Sequence, residues 1–393
     1  MRFSGFDDEW IEEKLGNLVQ IKSGECTKNL ITGIDNSIPY FKVEQLNNSL
    51  KYQIKTPYFI NDKSKIVNKG SIIFPKRGAA ILLNKIRILN QDSFMDTNLM
   101  TLTPNNKLYN EFLYYFIYKE NLSKIADTTS IPQLNNKHIK PYPIKLPSFE
   151  EQLKISKFIS SVDKKVALLS QNLEIFNDFK KGLLQQIFTQ KLRFDDNCQY
   201  KTKQVKDFLI ESKIEGIDDI NKRLTVKLNL KGITVRESKT IEIEGATKQF
   251  IRKTGQFIYG KQNLHKGAFG IIPKELDGYL TSSDIPSFDF KGGIEPKWFY
   301  YYFARKSFYE KLENLSTGTG SKRISPKEFL NIKIIVPEFK EQHKIVCLLE
   351  KFDEKINGIS NQIVQMNMFK KSLLQQMFVV QLILSLLQNK KHI

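Results

Sequence analysis

Cysteine is scarce in this chain: Cys26, Cys198 and Cys347 are odd in number and far apart. They form neither a disulfide framework nor a CxxC zinc pair, which fits a reducing, cytoplasmic setting. Long apolar runs are missing too. The nearest, Phe378–Leu387, is broken by Gln381 and Ser385 and falls short of the ~20 residues a membrane helix needs. The opening Met1-Arg2-Phe3-Ser4-Gly5-Phe6-Asp7-Asp8-Glu9 does not read as a signal peptide. A soluble, intracellular protein without a membrane partner is expected.

Catalytic signatures are equally absent. There is no Asn-Pro-Pro-aromatic or Asp-Pro-Pro-aromatic tetrapeptide, which excludes the usual amino-methyltransferase pocket, and no GxxxxGK[ST] phosphate loop. Gly318-Thr319-Gly320-Ser321-Lys322 has the flavour of such a loop without its spacing. The four histidines, His138, His265, His343 and His392, are scattered, and no HExxH or His/Cys cluster suits zinc. Paired acids such as Asp218-Asp219 sit in charged surroundings and read as solvated. No catalytic, cofactor or metal residue is therefore assigned to this chain.

Acidic residues are the last deficit. Against 61 Lys+Arg stand only 42 Asp+Glu, a net charge of +19. Such a surplus points to a polyanionic partner, nucleic acid before membrane surface, unless it reflects a merely basic proteome. At 393 residues the chain is too long for one ordinary core, so two or three domains are expected.

What is present is a repeat. Ser148–Gln190 and Glu338–Val380 align without a gap at an offset of 190 (337 − 147, from the prolines just ahead of each). The shared skeleton includes Glu151-Gln152/Glu341-Gln342, Asp163/Asp353, Lys180-Lys181/Lys370-Lys371 and Phe188/Phe378. Apolar residues recur at Ile155, Ile159, Val162, Val166, Leu169 and Leu173, and at Ile345, Leu349, Phe352, Ile356, Ile359 and Ile363. The 3.5-residue period marks a coiled-coil seam, interrupted by Lys180 and Lys370 in both copies. Ser148 with Glu151 forms a capping box at the first helix start. About 40 helical residues give a rod of roughly 60 Å.

Ahead of each helix lies a globular segment, 1–147 and 204–337, diverged but related. Each carries an aromatic run, Phe112–Tyr118 and Trp298–Phe303, that reads as core. Each also has a glycine-led apolar strand delivering a basic Gly-Ala loop, Lys76-Arg77-Gly78-Ala79 and Lys261 through Lys266-Gly267-Ala268. Strands interleaved with helices indicate a mixed α/β fold. The expected order is module 1–147, helix 148–194, linker 195–203, module 204–337, helix 338–380 and a divergent apolar tail, 381–393.

This arrangement resembles the DNA-specificity subunit of type I restriction–modification enzymes. The likeness is carried by Leu-Pro-x-Phe-x-Glu-Gln-x-Lys-Ile at Leu146–Ile155 and its Val336–Ile345 partner, by Gly182–Phe194, by Trp10…Lys14-Leu15-Gly16 and by Gly255–Gly278. The resemblance implies two target recognition domains joined by two long helices in an antiparallel coiled coil. Each domain would read half of a bipartite double-stranded DNA site. Two modification (methyltransferase) subunits would dock, and restriction/translocase subunits would join them. S-adenosylmethionine, ATP and magnesium would belong to those partners.

Two readers on a rigid rod fix half-site spacing near a multiple of one DNA turn, about 34 Å. Base identity must come from polar side chains at groove edges, while lysines hold phosphates. The candidates are Lys42, Gln45, Asn47, Lys76, Arg77, Gln133 and Asn135 in the first module. In the second they are Lys261, Gln262, Asn263, His265, Lys266, Lys322 and Arg323. After Phe378 the second copy departs from the first: Gln381 and Ile383 replace Lys191 and Arg193, as in a variant or frame-shifted end. Two rivals stand beside this reading, a self-contained nuclease or methyltransferase with unfamiliar motifs and a coiled-coil adaptor whose charge is incidental.

Overall fold

The repeat becomes two long helices, Phe149–Phe188 and Phe339–Val379. The computed structural model describes residues 2–27, 30–31, 37–62, 64, 66–127, 131–237, 245, 247–316 and 323–379. The divergent tail, 381–393, lies outside them. The chain divides into two compact units, one of residues 1–170 with 361–393 and one of residues 171–360. Each long helix contributes one part to each unit.

The first unit is built on a five-stranded sheet in the order Val19–Ser23, Leu99–Pro104, Ile72–Pro75, Arg87–Leu89 and Tyr52–Gln53. Its first three strands pair antiparallel, with Ile72 opposite Leu102. A small sheet of Phe59–Ile60, Ile38–Phe41 and Phe94–Met95 lies beside it. The aromatic helix Asn110–Glu120 buries Phe112 through Ile117. The two-stranded ribbon Ile11–Lys14 with Pro143–Leu146 leads into the long helix.

The second unit repeats that plan. Its main sheet runs Leu209–Ser212, Ser287–Phe290, Phe257–Tyr259 and Phe269–Ile271, all antiparallel. The aromatic helix is Pro296–Phe303, and the ribbon is Tyr200–Gln204 with Lys333–Pro337. What it adds is a three-stranded sheet of Glu215–Gly216, Gln249–Arg252 and Tyr279–Ser282, and the hairpin Leu224–Val226 with Ile233–Val235.

The long helices run antiparallel within each unit, and their apolar stripe is shared with the modules. Ile155, Ile159 and Val162 join Leu373, Leu374 and Met377 in the first core. Ile345 and Leu349 join Leu184 and Ile187 in the second. Phe378 packs on Phe112 with ring centroids 5.0 Å apart, and its repeat twin Phe188 packs on Trp298 at 5.7 Å. Burying each such ring contributes about 1.5–3 kcal/mol. The remaining seam positions divide: Leu169 and Ile359 are buried, whereas Val166, Leu173, Phe352, Ile356 and Ile363 are half-buried. The stripe is thus module core at its ends, where each aromatic helix offers a second apolar surface; in the second unit Phe352 also meets Phe176 across the two helices, with ring centroids 6.4 Å apart.

The lysines that interrupt the stripe are paired. Lys370 Nζ lies 2.6 Å from Asp163, and Lys180 forms the equivalent ion pair with Asp353. Each pair joins the lysine of one copy to the aspartate of the other, as an antiparallel register requires. Tyr115 donates to Asp163 at 2.7 Å and Tyr301 to Asp353 at 2.5 Å, so each module's aromatic helix is tied into the same triad. Burial first, then the carboxylate, raises both hydroxyls above the ordinary tyrosine range.

Helix entry is pinned by the repeated glutamine. Gln152 accepts from Tyr109 N at 2.8 Å and donates to Lys107 O and Pro147 O. Gln342 accepts from Glu295 N at 2.8 Å and donates to Gly293 O and Pro337 O. The capping box is only half made: Glu151 N donates to Ser148 Oγ at 3.2 Å, but its carboxylate turns away to Arg2 and Trp10.

Candidate nucleic-acid interface

Within each unit, loops that are distant in sequence and carry the candidate residues are joined by backbone hydrogen bonds. In the first unit the chain leaves the strand Ile72–Pro75 into Lys76-Arg77. Lys76 N donates to Asn98 O at 2.8 Å, and Lys76 O accepts from Leu134 N at 2.8 Å. Arg77 and Gln133 face each other as an antiparallel bridge, and Gly78 N donates to Pro132 O at 2.9 Å. Gly78 sits at φ +83°, a left-handed conformation that favours glycine, so the Gly-Ala step turns the loop.

The second unit repeats two of these backbone bonds, beside other side chains. Lys261 N donates to Asp284 O at 3.0 Å, and Lys261 O accepts from Ile324 N at 2.9 Å. The donors Leu134 and Ile324 keep the repeat offset (324 − 134 = 190), whereas the acceptors Lys76 and Lys261 are 185 apart (261 − 76), as expected between diverged modules. Arg323 pairs with Asp284 at 3.0 Å. Gly267, at φ +72°, closes the turn Leu264–Lys266.

Exposure separates the candidates. Arg77, Asn47, Gln262, Lys266 and Arg323 are exposed; Lys42, Lys76, Gln133, Asn135, Lys261, Asn263 and His265 are half-buried. Lys322 lies outside the described residues. Partial burial, then the charge of Arg77, lowers Lys76 below the usual lysine range. Lys42 stacks over Tyr58 at 3.8 Å. Asn47 accepts from Lys85 at 2.6 Å. Asn263 O accepts from Lys266 N and Ala268 N, which shapes the turn.

Two candidates also take part in local turns. Gln45 is only 5% exposed; its amide oxygen accepts from Lys42 N at 2.8 Å, so it braces the turn Val43–Asn48. Asn135 precedes the helical turn Asn136–Ile139, its N–H donating to His138 Nδ1 at 3.1 Å. His138 and Lys137 both reach Asp127, and Lys137 foremost holds that carboxyl below its usual range.

Sequence reasoning missed Arg252. It is buried and donates to Thr281 Oγ1, Ser212 O, Ser287 Oγ and Ile285 O. Those bonds hold the segment facing Lys261, and desolvation lowers its pKa to about 10. The signal was an arginine ending the strand Gln249–Arg252. A cleft of about 500 Å³ opens between Arg252, Lys261, Lys213 and Lys327. Among the described residues, no group of three or more His, Cys, Asp and Glu side chains is placed to hold a metal, and no helix is long and apolar enough to cross a membrane.

Known proteins share this plan. The model of the type I restriction modification DNA specificity domain matches residues 7–175 and again 200–366, one match for each module with its helix. Among curated proteins the chain is similar to the type I restriction enzyme MjaVIII specificity subunit of Methanocaldococcus jannaschii. The two are 22% identical, over 93% of this chain and 91% of that protein. It is also 23% identical to the putative MjaX specificity subunit of the same organism, over 93% and 92%. Of solved structures, the type I restriction–modification S subunit from M. genitalium superposes with a TM-score of 0.58. That likeness covers 96% of this chain and 97% of that one at 15% identity. A chain from a structural study of complex assembly and conformational transition in a type I system superposes with a TM-score of 0.57 at 14% identity, covering 96% and 99%. With the domain matched twice along a duplicated fold, the chain belongs to the type I restriction modification DNA specificity family and is a specificity subunit, the non-catalytic component of such systems.

Proposed function

We propose that the two zippered loop pairs are the reading heads, one for each half of a bipartite site in double-stranded DNA. One observation carries the proposal: the same two backbone bonds recur at Lys76 and at Lys261, and the side chains beside them differ. Arg77 facing Gln133 heads the first pair, and Arg323, paired with Asp284 and next to Ile324, heads the second with Gln262 beside Lys261. A constant scaffold with variable polar tips is what reading two different half-sites requires. Lys42, Lys76, Lys261 and Lys266 supply phosphate contacts around the tips.

In this reading residues 1–147 and 204–337 are the recognition domains, and the long helices set the half-site spacing and dock two modification subunits. Restriction/translocase subunits complete the assembly. S-adenosylmethionine, ATP and magnesium act on those partners, and the work is done in the cytoplasm. Adenine methylation and cleavage are directed, not performed, by this chain.

Mapping methylated adenines in DNA exposed to the reconstituted methyltransferase tests the proposal. The expected result is one asymmetric bipartite site with a fixed spacer. A continuous or absent target motif would overturn it. The chain alone should bind duplex DNA with an affinity that falls steeply with salt, because phosphate neutralisation releases counterions. Turnover by the chain alone would favour the enzyme rival, and salt-insensitive binding the adaptor.

A further inference from the structure

The repeat's double lysine has a second use beside the triads. In the first unit Asn367, Lys371, Leu374 and Gln375 line a pocket of about 620 Å³ together with Tyr118 and Lys124. In the second unit Asn177, Lys181, Leu184 and Gln185 line one of about 400 Å³ with Tyr309 and Lys306. The four helix residues are the same four, 190 positions apart. Lys370 and Lys180 also line these pockets but are held by Asp163 and Asp353. Lys371 and Lys181 are exposed and form no ion pair among the described residues. No Asp or Glu lines either pocket among the described residues.

Each pocket therefore sets cations beside a leucine and tyrosine, and its constant part, Asn, the double lysine, Leu and Gln, comes from the duplicated frame, while Lys124 and Lys306 are added by the diverged modules. A ligand that recognises this frame binds twice. A DNA duplex presents a convex, evenly charged backbone, which neither fills a concave pocket nor uses its leucine and tyrosine. An acidic side chain beside an apolar one does both. We propose that each pocket receives the same acidic, apolar-tipped segment, one from each of two copies of the modification subunit. The inference rests on the two-partner reading above and specifies where and through what chemistry each copy is held.

The test uses the full chain with its cognate modification subunit. Native mass spectrometry counts bound subunits, and titration gives the affinity of each site. The wild type should bind two. Lys181→Glu and Lys371→Glu should each leave one site intact and weaken the other at least about tenfold, and the double variant should weaken both. Lys→Arg at both positions should restore the wild-type count. Affinity of the chain alone for duplex DNA should stay unchanged. Two subunits bound at wild-type affinity by the double variant would overturn the inference while leaving the family role in place. Lost DNA affinity with normal assembly would reassign the pockets to phosphate. A wild type that binds no subunit would overturn the two-partner reading along with it. Lys→Gln at both positions, with thermal melting, guards against misfolding and should show the same losses in milder form.

Discussion

The two units hold the same carboxylate at the mouth of their long helices and satisfy it differently. Glu151 is 1% exposed and receives Arg2 through two bonds of 2.9 Å, with Trp10 Nε1 at 3.2 Å. Glu341 is 2% exposed and receives Phe194 N at 2.8 Å on one oxygen, while the other has no partner among the described residues. The glutamine beside it and the Tyr–Asp–Lys triad below it are the same in both units. The lesson is about where duplication tolerates change. The glutamine pins and the triads are kept pairwise, whereas the partners of the carboxylate have drifted, from Arg2 and Trp10 in one unit to Phe194 N in the other. The proposed reading loops lie at the drifting extreme, with two shared backbone bonds and different side chains.

The largest effects should come from the shared pins, and they should be equal. Gln152→Leu and Gln342→Leu each strand one buried N–H and two carbonyls, at about 1–3 kcal/mol for each group left unsatisfied. Urea unfolding should show about 4 kcal/mol lost from the unit that carries the change. A large loss in one unit and none in the other would break the equivalence.

The triads come next. Lys370→Met leaves Asp163 partly buried without its ion partner and should cost about 2 kcal/mol; Lys180→Met, beside the more exposed Asp353, should cost about 1 kcal/mol. Thermal melts of both variants rank them, and the reverse order would contradict the burial argument. At helix entry, Glu151→Gln should destabilise by about 1–2 kcal/mol by weakening a charge-assisted fork, whereas Glu341→Gln should be near neutral. Equal losses in urea titrations would show that the two carboxylates are equally satisfied.

The smallest contrast is between two tyrosines, both pushed up to about 12 by burial. Tyr40 donates to Glu25 O at 2.8 Å, while the Tyr200 hydroxyl has no partner among the described residues. Tyr40→Phe should therefore cost about 1 kcal/mol and Tyr200→Phe almost nothing. The unfolded chain releases these protons near pH ~10 and the folded chain retains them. The stability they confer is full below that pH and lost as pH rises through about 12. Unfolding followed between pH 9 and 12 should show the decline, reduced in both phenylalanine variants.

Much of this frame is legible in the sequence because it is written twice. The gapless 190-residue offset and the 3.5-residue apolar period mark the long helices, and the aromatic runs are largely buried as burial statistics suggest, with Tyr118 left exposed. What periodicity does not reveal is the partner of each residue. Lys180 and Lys370 read as interruptions until the antiparallel register brings each opposite the other copy's aspartate. Tyr115 reads as core, yet its hydroxyl ties the module to that ion pair. In the loops, Lys76-Arg77 and Gln133 are separated by more than fifty residues, and only the strand order brings them together. Gln45 reads as a candidate base reader because it is polar and lies on a loop; the tight turn draws its side chain inward. Residue type alone does not distinguish a turn brace from a solvent-facing tip.

Methylated-adenine maps of loop variants in the reconstituted enzyme test the division of labour most directly. Arg77→Ala with Gln133→Ala should relax or redirect one half-site and leave the other half and the spacer as in the wild type. Gln262→Ala with Arg323→Ala should do the same to the opposite half. A variant that alters both halves, or changes the spacer, would contradict the claim that the loops read the bases while the duplicated helices set the distance.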